Sequence, residues 1–214
     1  MTQPPIFDAR FTEQFNQLLD WRRDVRHFQT NLLPPGTLDA LLAAAARAPS
    51  VGNAQPWRFV RLRTPQLRDT LAAHVDAANN EAAARITDPE RRAHYATLKL
   101  HGLREAPDLL AVFSDETPAA GHGLGRATMA ETLRYSTVMA IHTLWLAARI
   151  RGIGVGWVSI LDPATVTAMI DVPAHWTLVA LLCIGYPAEP SDTPELERRG
   201  WQAREPLADR ILHR

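Results

Sequence analysis

The 214-residue sequence predicts a single α+β domain, and three observations support that prediction. Segments with helical periodicity alternate with segments of strand-like periodicity, and no repeat, low-complexity tract or clear linker separates them. Hydrophobic residues make up 46% of the chain and charged residues 21%, as in ordinary soluble globular proteins. The length suffices for one sizeable hydrophobic core, with or without an inserted flap.

Two helices are predicted in the N-terminal part of the chain. The first covers residues 13–21, where apolar side chains recur along one face. The second covers residues 38–48, and Thr37 is its predicted N-cap because a threonine hydroxyl accepts a hydrogen bond from a free backbone N–H. Pro49 is expected to end this helix, since proline has no N–H to continue the hydrogen-bonded ladder.

A strand and a long helical region follow. Residues 57–62 alternate apolar and basic side chains, which is typical of a half-buried strand. Residues 66–104 have the composition of helices, with a break at residues 87–89, many alanines and few large apolar side chains. We interpret residues 66–105 as a helical lid over a site, and a plain pair of surface helices explains the same composition equally well.

The second half of the chain is predicted to supply the central strand and the most apolar helix. Residues 107–113 form a short apolar run, and a Gly/Pro-rich loop follows at residues 114–125. Residues 132–149 form a helix that is apolar on nearly every face, so it is buried in a large core or in a dimer interface, and the size of the chain favours the interface. Asp162 is the candidate N-cap of a short helix. This helix covers residues 163–170, and the last two strands cover residues 156–161 and 177–185.

Charge and composition exclude several classes of function. The formal net charge is +0, so we expect neither nucleic acid nor an acidic membrane as a partner. The single cysteine, Cys183, excludes a disulfide framework and is expected to be a small buried hydrophobe. The eight histidines have no metal-ligand spacing, so no metal is expected. Residues 1–5 do not resemble the start of a signal peptide, and we expect a cytoplasmic protein.

The tail, residues 190–214, is charged and has few apolar side chains that could form a core of its own. We predict that it is an arm wrapped around a second subunit.

Three arginines lie within five residues at the end of the first helix: Arg22, Arg23 and Arg26. Guanidinium groups bind phosphate oxygens through paired hydrogen bonds and keep their charge, so this cluster suits a phosphate. Taken alone, a solvated basic helix end is the more common explanation. Asp24 would repel a phosphate unless it orients an arginine or accepts a proton in catalysis.

Two polar turns carry further candidates. In residues 49–57, Ser50, Asn53 and Gln55 could hydrogen-bond the edge of a heteroaromatic ring, and an ordinary tight connection explains them equally well. Residues 152–156 contain three glycines but lie between a helix and a following strand, the reverse of the order in a dinucleotide-binding turn. Gly152 is expected to cap the helix, and the later glycines to let the strand approach a flat ring with Ser159 pointing into the site.

Four motifs together, at residues 22–26, 48–57, 98–107 and 154–160, resemble the FMN-dependent nitroreductase-like superfamily. Within it they resemble the branch of 5,6-dimethylbenzimidazole synthases, because the superfamily usually has serine where this chain has Asp24. The resemblance extends over residues 15–207. His101 and His142 depart from it, since glutamate and glutamine are expected at these positions.

The resemblance implies a nitroreductase-like fold with a mostly antiparallel sheet flanked by helices, in an intertwined homodimer with FMN at the subunit interface. It also implies that reduced FMN is a substrate, which O2 fragments to 5,6-dimethylbenzimidazole, the lower ligand of cobalamin, and erythrose 4-phosphate. A separate NAD(P)H-dependent flavin reductase would then supply reduced FMN. The alternatives are an FMN-dependent NAD(P)H nitroreductase or flavin reductase and, more remotely, a flavin carrier without activity.

Catalytic roles carried over from the resemblance fall to Asp24, for proton movement, and Ser159, for hydrogen bonding to the flavin. Leu100 is expected on the lid, and Arg204 at the phosphate. The complete set of implied flavin-binding residues is Arg22, Arg23, Asp24, Val25, Arg26, Pro49, Ser50, Gly52, Gln55, Leu100, Gly156, Val158, Ser159 and Arg204.

Overall fold

The computed structural model describes residues 3–214, whose strands form a four-stranded antiparallel sheet in the order β1-β2-β4-β3. The strands are β1 (Trp57–Arg61), β2 (Asp108–Asp115), β3 (Gly154–Val158) and β4 (Trp176–Gly185). The predicted central strand is confirmed, because β2 and β4 occupy the middle of the sheet. Ser114 and Asp115 extend β2 into the predicted loop, since Ser114 pairs with both neighbouring strands.

Helices cover both faces of this sheet. They are α1 (Ala9–Trp21), α2 (Thr37–Ala45), α3 (Pro65–Ala84), α4 (Pro89–Ala96), α5 (Thr132–Ile150), α6 (Pro163–Ile170) and α7 (Glu195–Arg198). The predicted α+β class is confirmed. The predicted cap of α6 is confirmed as well, because the Asp162 carboxylate accepts a hydrogen bond from the backbone N–H of Thr165 at 2.7 Å.

Three helix boundaries differ from the prediction. The N-cap of α2 is Gly36, with a φ of 80°, so Thr37 is the first helical residue and not the cap. The same helix ends at Ala45, before Pro49 is reached. α1 begins at Ala9, earlier than predicted, because the Asp8 carboxylate accepts a hydrogen bond from the backbone N–H of Phe11.

The prediction of helix through residue 104 is wrong, because residues 97–107 are turns and extended backbone. A tertiary contact decides this. A Cβ on Gly102 would overlap the ring of Phe28, so this segment is pressed against the chain that follows α1. β3 also lies two residues earlier than predicted and ends at Val158, since it pairs with β4 from Gly185 to Leu181.

Alternating residues of the two central strands point to two separate cores. On one face, Leu110 and Leu182 pack with α2 and α5; on the other, Phe113 and Leu181 pack with α3 and α6. Cys183 belongs to the second core, as predicted, and burial raises the pKa of its thiol to about 12. The thiol therefore stays protonated.

The helix α5 buries one face against the sheet and leaves an apolar face exposed. Leu133, Ile141 and Leu144 are buried, whereas Tyr135 and Val138 are exposed. Exposed apolar residues of α1, including Phe11 and Phe15, lie beside the other end of α5 and line a shallow groove with it. The predicted all-round apolar helix is thus only half covered by its own chain.

The C-terminal end of α5 follows the prediction. Gly152, with a φ of 70°, lies just past the helix, where its N–H donates to the carbonyl oxygen of Arg149 at 2.9 Å. None of the helices formed by residues 3–214 combines the length and the apolar character that a bilayer crossing requires.

Candidate functional site

Two of the predicted motifs meet directly. The arginine-rich segment, residues 22–26, runs alongside β3. The backbone N–H of Val25 donates to the carbonyl oxygen of Val155 at 3.1 Å. The contact is so close that a Cβ on Gly156 would overlap the carbonyl oxygen of Val25, and one on Gly154 would lie 2.7 Å from Val25 Cγ2. The glycines of β3 therefore seat the arginine-rich segment, and the predicted contact of Gly156 with a flavin ring stays a prediction.

The Asp24 carboxylate is held on both oxygens. Oδ1 accepts a hydrogen bond from the backbone N–H of Trp157 at 2.8 Å, and Oδ2 accepts one from Nε of Arg26 at 3.1 Å. Burial raises the pKa of Asp24 from its usual range, and these two partners only partly oppose that effect. Asp24 is thus a fixed carboxyl group that holds a proton more readily than an exposed aspartate does.

Arg26 has an unused donor at this site. Its side chain is 13% exposed, and its Nη1 is buried with no hydrogen-bond partner among residues 3–214. A buried guanidinium nitrogen without a partner costs free energy, so its presence points to an anionic group that the polypeptide does not supply.

Arg22 and Arg23 are each held by neighbouring groups. The Arg22 guanidinium lies 5.2 Å from the centre of the Trp145 ring, in a cation–π contact. Arg23 Nε donates to the carbonyl oxygen of Asp192 at 2.7 Å. Burial lowers the pKa of both arginines, and the charge of Arg204 lowers it further. Both remain charged, but each lies in a field that favours an added anion.

The predicted phosphate-binding residue Arg204 joins this cluster although it lies far along the chain. It lines a cavity of about 190 Å³ together with Arg22, Arg23, Asp24 and Arg26. Glu195 lies in the same cavity, so four guanidinium groups face two carboxylates and the positive charge is in excess. A second cavity of about 160 Å³ lies on the Trp145 side of the same segment.

The polar turn at residues 49–55 lies elsewhere on the chain. Its backbone is left-handed at Gly52, Asn53 and Gln55, and the Gln55 N–H donates to Ser50 Oγ at 3.0 Å. Pro49 and Gln55 are exposed.

The turn is fixed to the N-terminal part of α5, where the Val51 N–H donates to Ser136 Oγ at 3.0 Å. Trp145, beneath Arg22, is nine residues further along α5, or about 14 Å along its axis. One chain alone therefore keeps Pro49, Ser50, Gly52 and Gln55 apart from the arginine cluster.

The remaining predicted residues are only partly brought together. Val158 is 2% exposed and its side chain packs in the core, so only its backbone can reach a ligand. Ser159 is exposed and lines a separate cavity of about 510 Å³ bordered by α3. In this single chain the two predicted catalytic residues, Asp24 and Ser159, therefore line different cavities.

Leu100 lies on the non-helical segment at residues 97–107 and is half-buried. Two residues on, Gly102 packs against the carbonyl oxygen of Arg26 and the ring of Phe28. The predicted lid residue is therefore attached close to the arginine-rich segment, although it is not on a helix.

Sequence reasoning missed three groups of this site. Trp145 supports Arg22, and its Nε1 donates to the carbonyl oxygen of Arg23 at 3.2 Å. His27 pairs with Glu195 over 3.1 Å and ties α7 to the arginine-rich segment. No local sequence pattern could have related these pairs, because Trp145 lies 122 positions from Arg23 and Glu195 lies 168 positions from His27.

The two departures from the resemblance have different surroundings. His101 Nε2 donates to Asp76 Oδ1 at 2.8 Å, and Arg104 binds the other oxygen of the same carboxylate at 2.7 Å. His142 is exposed on α5, where partial burial and the charge of Arg22 lower the pKa of its imidazole. Residues 3–214 contain no group of three or more His, Cys, Asp or Glu side chains arranged to hold a metal ion.

Two features define the class of protein to which this chain belongs. One is the antiparallel sheet with helices on both faces, and the other is the arginine-rich segment that packs on its edge strand. A sequence profile of the nitroreductase family matches residues 19–186, and the chain belongs to that family.

Among its relatives is the 5,6-dimethylbenzimidazole synthase of Rhodospirillum rubrum, which is 58% identical over 96% of this chain and 97% of its own length. A protein of the same name from Rhodobacter capsulatus is 49% identical over 92% of this chain and 94% of its own length. Among solved structures, an oxidised iodotyrosine deiodinase bound to FMN and 3-iodo-L-tyrosine is 26% identical. It superposes with a TM-score of 0.69 over 82% of this chain and 91% of that chain. The predicted nitroreductase-like fold is confirmed.

Proposed function

We propose that this protein is a 5,6-dimethylbenzimidazole synthase, which uses O2 to convert reduced FMN to 5,6-dimethylbenzimidazole and erythrose 4-phosphate. Relatives of this name are 58% and 49% identical over nearly the whole chain. The observation that carries the proposal is Asp24, a partly buried carboxyl group fixed between the arginines and the backbone of β3. A plain phosphate site would not need a carboxylate at its centre.

The cluster of Arg22, Arg23, Arg26 and Arg204 fits the phosphate of FMN. The buried, unpartnered Nη1 of Arg26 supports this assignment, because a phosphate oxygen would supply the missing acceptor. The excess of positive charge in the Arg204 cavity supports it independently. Burial and the charges of neighbouring arginines lower the pKa of Arg22 and Arg23, and a dianionic phosphate would offset both effects.

Reduced FMN supplies the electrons that O2 accepts and the ring that becomes the product. Asp24 accepts and returns a proton at Oδ2 while the bond to the ribityl chain is cleaved. Its raised pKa suits this role, because a general acid–base group works best when its pKa lies close to the working pH. The bond from the Trp157 N–H holds the carboxyl group in one orientation. Ser159 orients the flavin by hydrogen bonding in the same proposal.

A second copy of the chain completes the site. The arginine cluster and the polar turn at residues 49–55 lie at opposite ends of α5. If two α5 helices pack antiparallel, the arginine cluster of one chain meets the polar turn of its partner. The exposed apolar side chains of α5, among them Tyr135, Val138 and Met139, provide the surface for that contact. The flavin would then lie at the subunit interface.

A separate NAD(P)H-dependent flavin reductase supplies the reduced FMN, and O2 is the second substrate, with no metal required. The competing function is an FMN-dependent NAD(P)H nitroreductase or flavin reductase, which retains its flavin. The wider family membership is the observation that favours this alternative.

The test is a product analysis. The purified protein is mixed with photoreduced FMN, air is admitted, and the products are analysed by mass spectrometry. We expect a species with the mass of 5,6-dimethylbenzimidazole, and about 100-fold less of it from an Asp24→Asn variant. Intact FMN with hydrogen peroxide, together with rapid oxidation of NAD(P)H by the protein alone, would establish the reductase instead.

A further inference from the structure

The C-terminal tail contacts the helix α4 through the Trp201 ring and the backbone of Arg199. The Trp201 ring lies 5.6 Å from the His94 ring and 5.8 Å from the Tyr95 ring, both edge-on. The Arg91 guanidinium lies 5.2 Å from the centre of the same ring. His94 Nε2 also donates to the carbonyl oxygen of Arg199 at 2.8 Å. Three residues on one face of α4, Arg91, His94 and Tyr95, contact the Trp201 ring and make this a docking site for the tail.

Arg204 follows Trp201 by three residues and lines the cavity of the arginine cluster. Three residues span at most roughly 10 Å of extended chain, so the two side chains cannot move independently over larger distances. The segment is anchored on its other side as well, because the Trp201 N–H donates to the carbonyl oxygen of Leu196 at 2.8 Å. We name residues 199–204 the strap.

We infer that the strap couples phosphate binding at Arg204 to the position of α4, with Trp201 as the positioning residue. When a phosphate engages Arg204, the strap is held in place and Trp201 holds α4 in its position against the strap. A flavin without phosphate leaves Arg204 unengaged, so α4 is held less firmly. The strap thereby gives the enzyme a preference for FMN over riboflavin that direct phosphate contacts do not account for. This inference rests on the proposed function, in which the arginine cluster binds FMN.

The coupling between Arg204 and α4 is reciprocal, so it also predicts how the Trp201 contact changes FMN affinity. If FMN binding strengthens the contact between Trp201 and α4 by some factor, that contact strengthens FMN binding by the same factor. Loss of the contact must therefore weaken FMN binding by that factor. From the cation–π contact and the two ring contacts of Trp201 we expect a factor of about tenfold. Riboflavin binding should change by less than about twofold, because no phosphate reaches Arg204.

The chain offers a matched pair of variants. Arg91 lies over the Trp201 ring, whereas its neighbour Arg92 is exposed and its side chain forms no hydrogen bond, ion pair or cation–π contact among residues 3–214. Arg91→Ala and Arg92→Ala therefore remove the same charge from the same turn of α4, and only the first removes the contact. Trp201→Ala removes the ring, and Trp201→Phe retains an aromatic ring.

The experiment is hydrogen–deuterium exchange of each full-length protein with oxidised FMN, with riboflavin and without ligand. Peptides covering residues 22–28 report binding at the arginine cluster, and peptides covering residues 89–96 report the position of α4. In the wild type and in Arg92→Ala, we expect FMN to slow exchange at both places and riboflavin to slow it at residues 22–28 alone. In Arg91→Ala and Trp201→Ala, FMN should still slow exchange at residues 22–28 but about tenfold less at α4. Trp201→Phe should restore most of the effect.

Equal protection of α4 by FMN and riboflavin in the wild type, or unchanged protection by FMN in Arg91→Ala, overturns the inference while leaving the proposed function standing. A failure of FMN to protect residues 22–28 in the wild type overturns the proposed function itself. If Trp201→Ala does not fold, the Arg91 and Arg92 pair decides the matter by itself.

Discussion

The backbone N–H of Trp157 donates a 2.8 Å hydrogen bond to Oδ1 of Asp24, across 133 positions of the chain. This bond joins the arginine-rich segment to β3, and it leaves Oδ2 to pair with Arg26. The carboxyl group consequently has one orientation and sits in a position that burial makes unfavourable for a charge. The charged form of this carboxyl group is therefore destabilised in the folded protein, and the effect can be measured.

The first prediction concerns the pH dependence of stability. Burial raises the pKa of Asp24, so the folded protein binds this proton more tightly than the unfolded chain does. The contribution of Asp24 to the free energy of unfolding is therefore greatest below its unfolded pKa of about 3.9 and falls as the pH rises toward the folded pKa. Asp24→Asn should abolish that fall. Urea unfolding from about pH 4 to about pH 7 should show the variant gaining stability relative to the wild type.

Asp69→Asn is the control for this measurement, because Asp69 is exposed on α3 and its carboxylate forms no hydrogen bond or ion pair among residues 3–214. A stability difference between Asp24→Asn and wild type that stays constant with pH would contradict the prediction.

The second prediction separates the phosphate contact from the ring contacts. Arg26→Lys keeps the charge but removes both Nη atoms, including the buried one without a partner. We expect FMN affinity to fall about 10- to 100-fold, as for loss of a charge-assisted hydrogen bond, and riboflavin affinity to change by less than about twofold. Calorimetric titration with both flavins measures this. Arg63→Lys, on an exposed position, is the control, and an equal loss for both flavins would place Arg26 away from the phosphate.

The third prediction tests the seat of the arginine-rich segment. Gly156→Ala would force a methyl group against the carbonyl oxygen of Val25, so we expect a loss of about 1–3 kcal/mol in the free energy of unfolding and weakened FMN binding. Gly152→Ala is the matched control. Its φ of 70° costs about 1 kcal/mol in backbone strain, but the site has open space and FMN affinity should persist. Denaturant unfolding and flavin titration of both variants distinguish the two effects.

The fourth prediction concerns His101, where the resemblance led us to expect glutamate. His101→Glu would put a second carboxylate beside Asp76 and break the 2.8 Å hydrogen bond. We expect a loss of about 1 kcal/mol in the free energy of unfolding. Adding Asp76→Asn should restore part of it, which a double-mutant cycle measures. If the second substitution gives no recovery, the His101–Asp76 pair does not hold this segment to α3.

Local sequence patterns determined the periodic elements and the identity of the motifs. Strand β2 followed from its apolar run, and α6 from Asp162 and the proline after it, because caps and side-chain periodicity act within a few residues. The arginines indicated a phosphate site only together with the other motifs, and Asp24 indicated the branch of the family. These signals are short-range, and a sequence displays them directly.

Only the tertiary structure decided how those pieces meet. Residues 97–107 lose their helix because Gly102 packs against Phe28, and Gly156 is needed because Val25 crosses it. The contact of Arg22 with Trp145 joins residues far apart in sequence. Such contacts depend on how whole elements pack, and packing is fixed by the shape and burial of many side chains together. The sequence alone therefore named the chemical groups, whereas the fold set their positions.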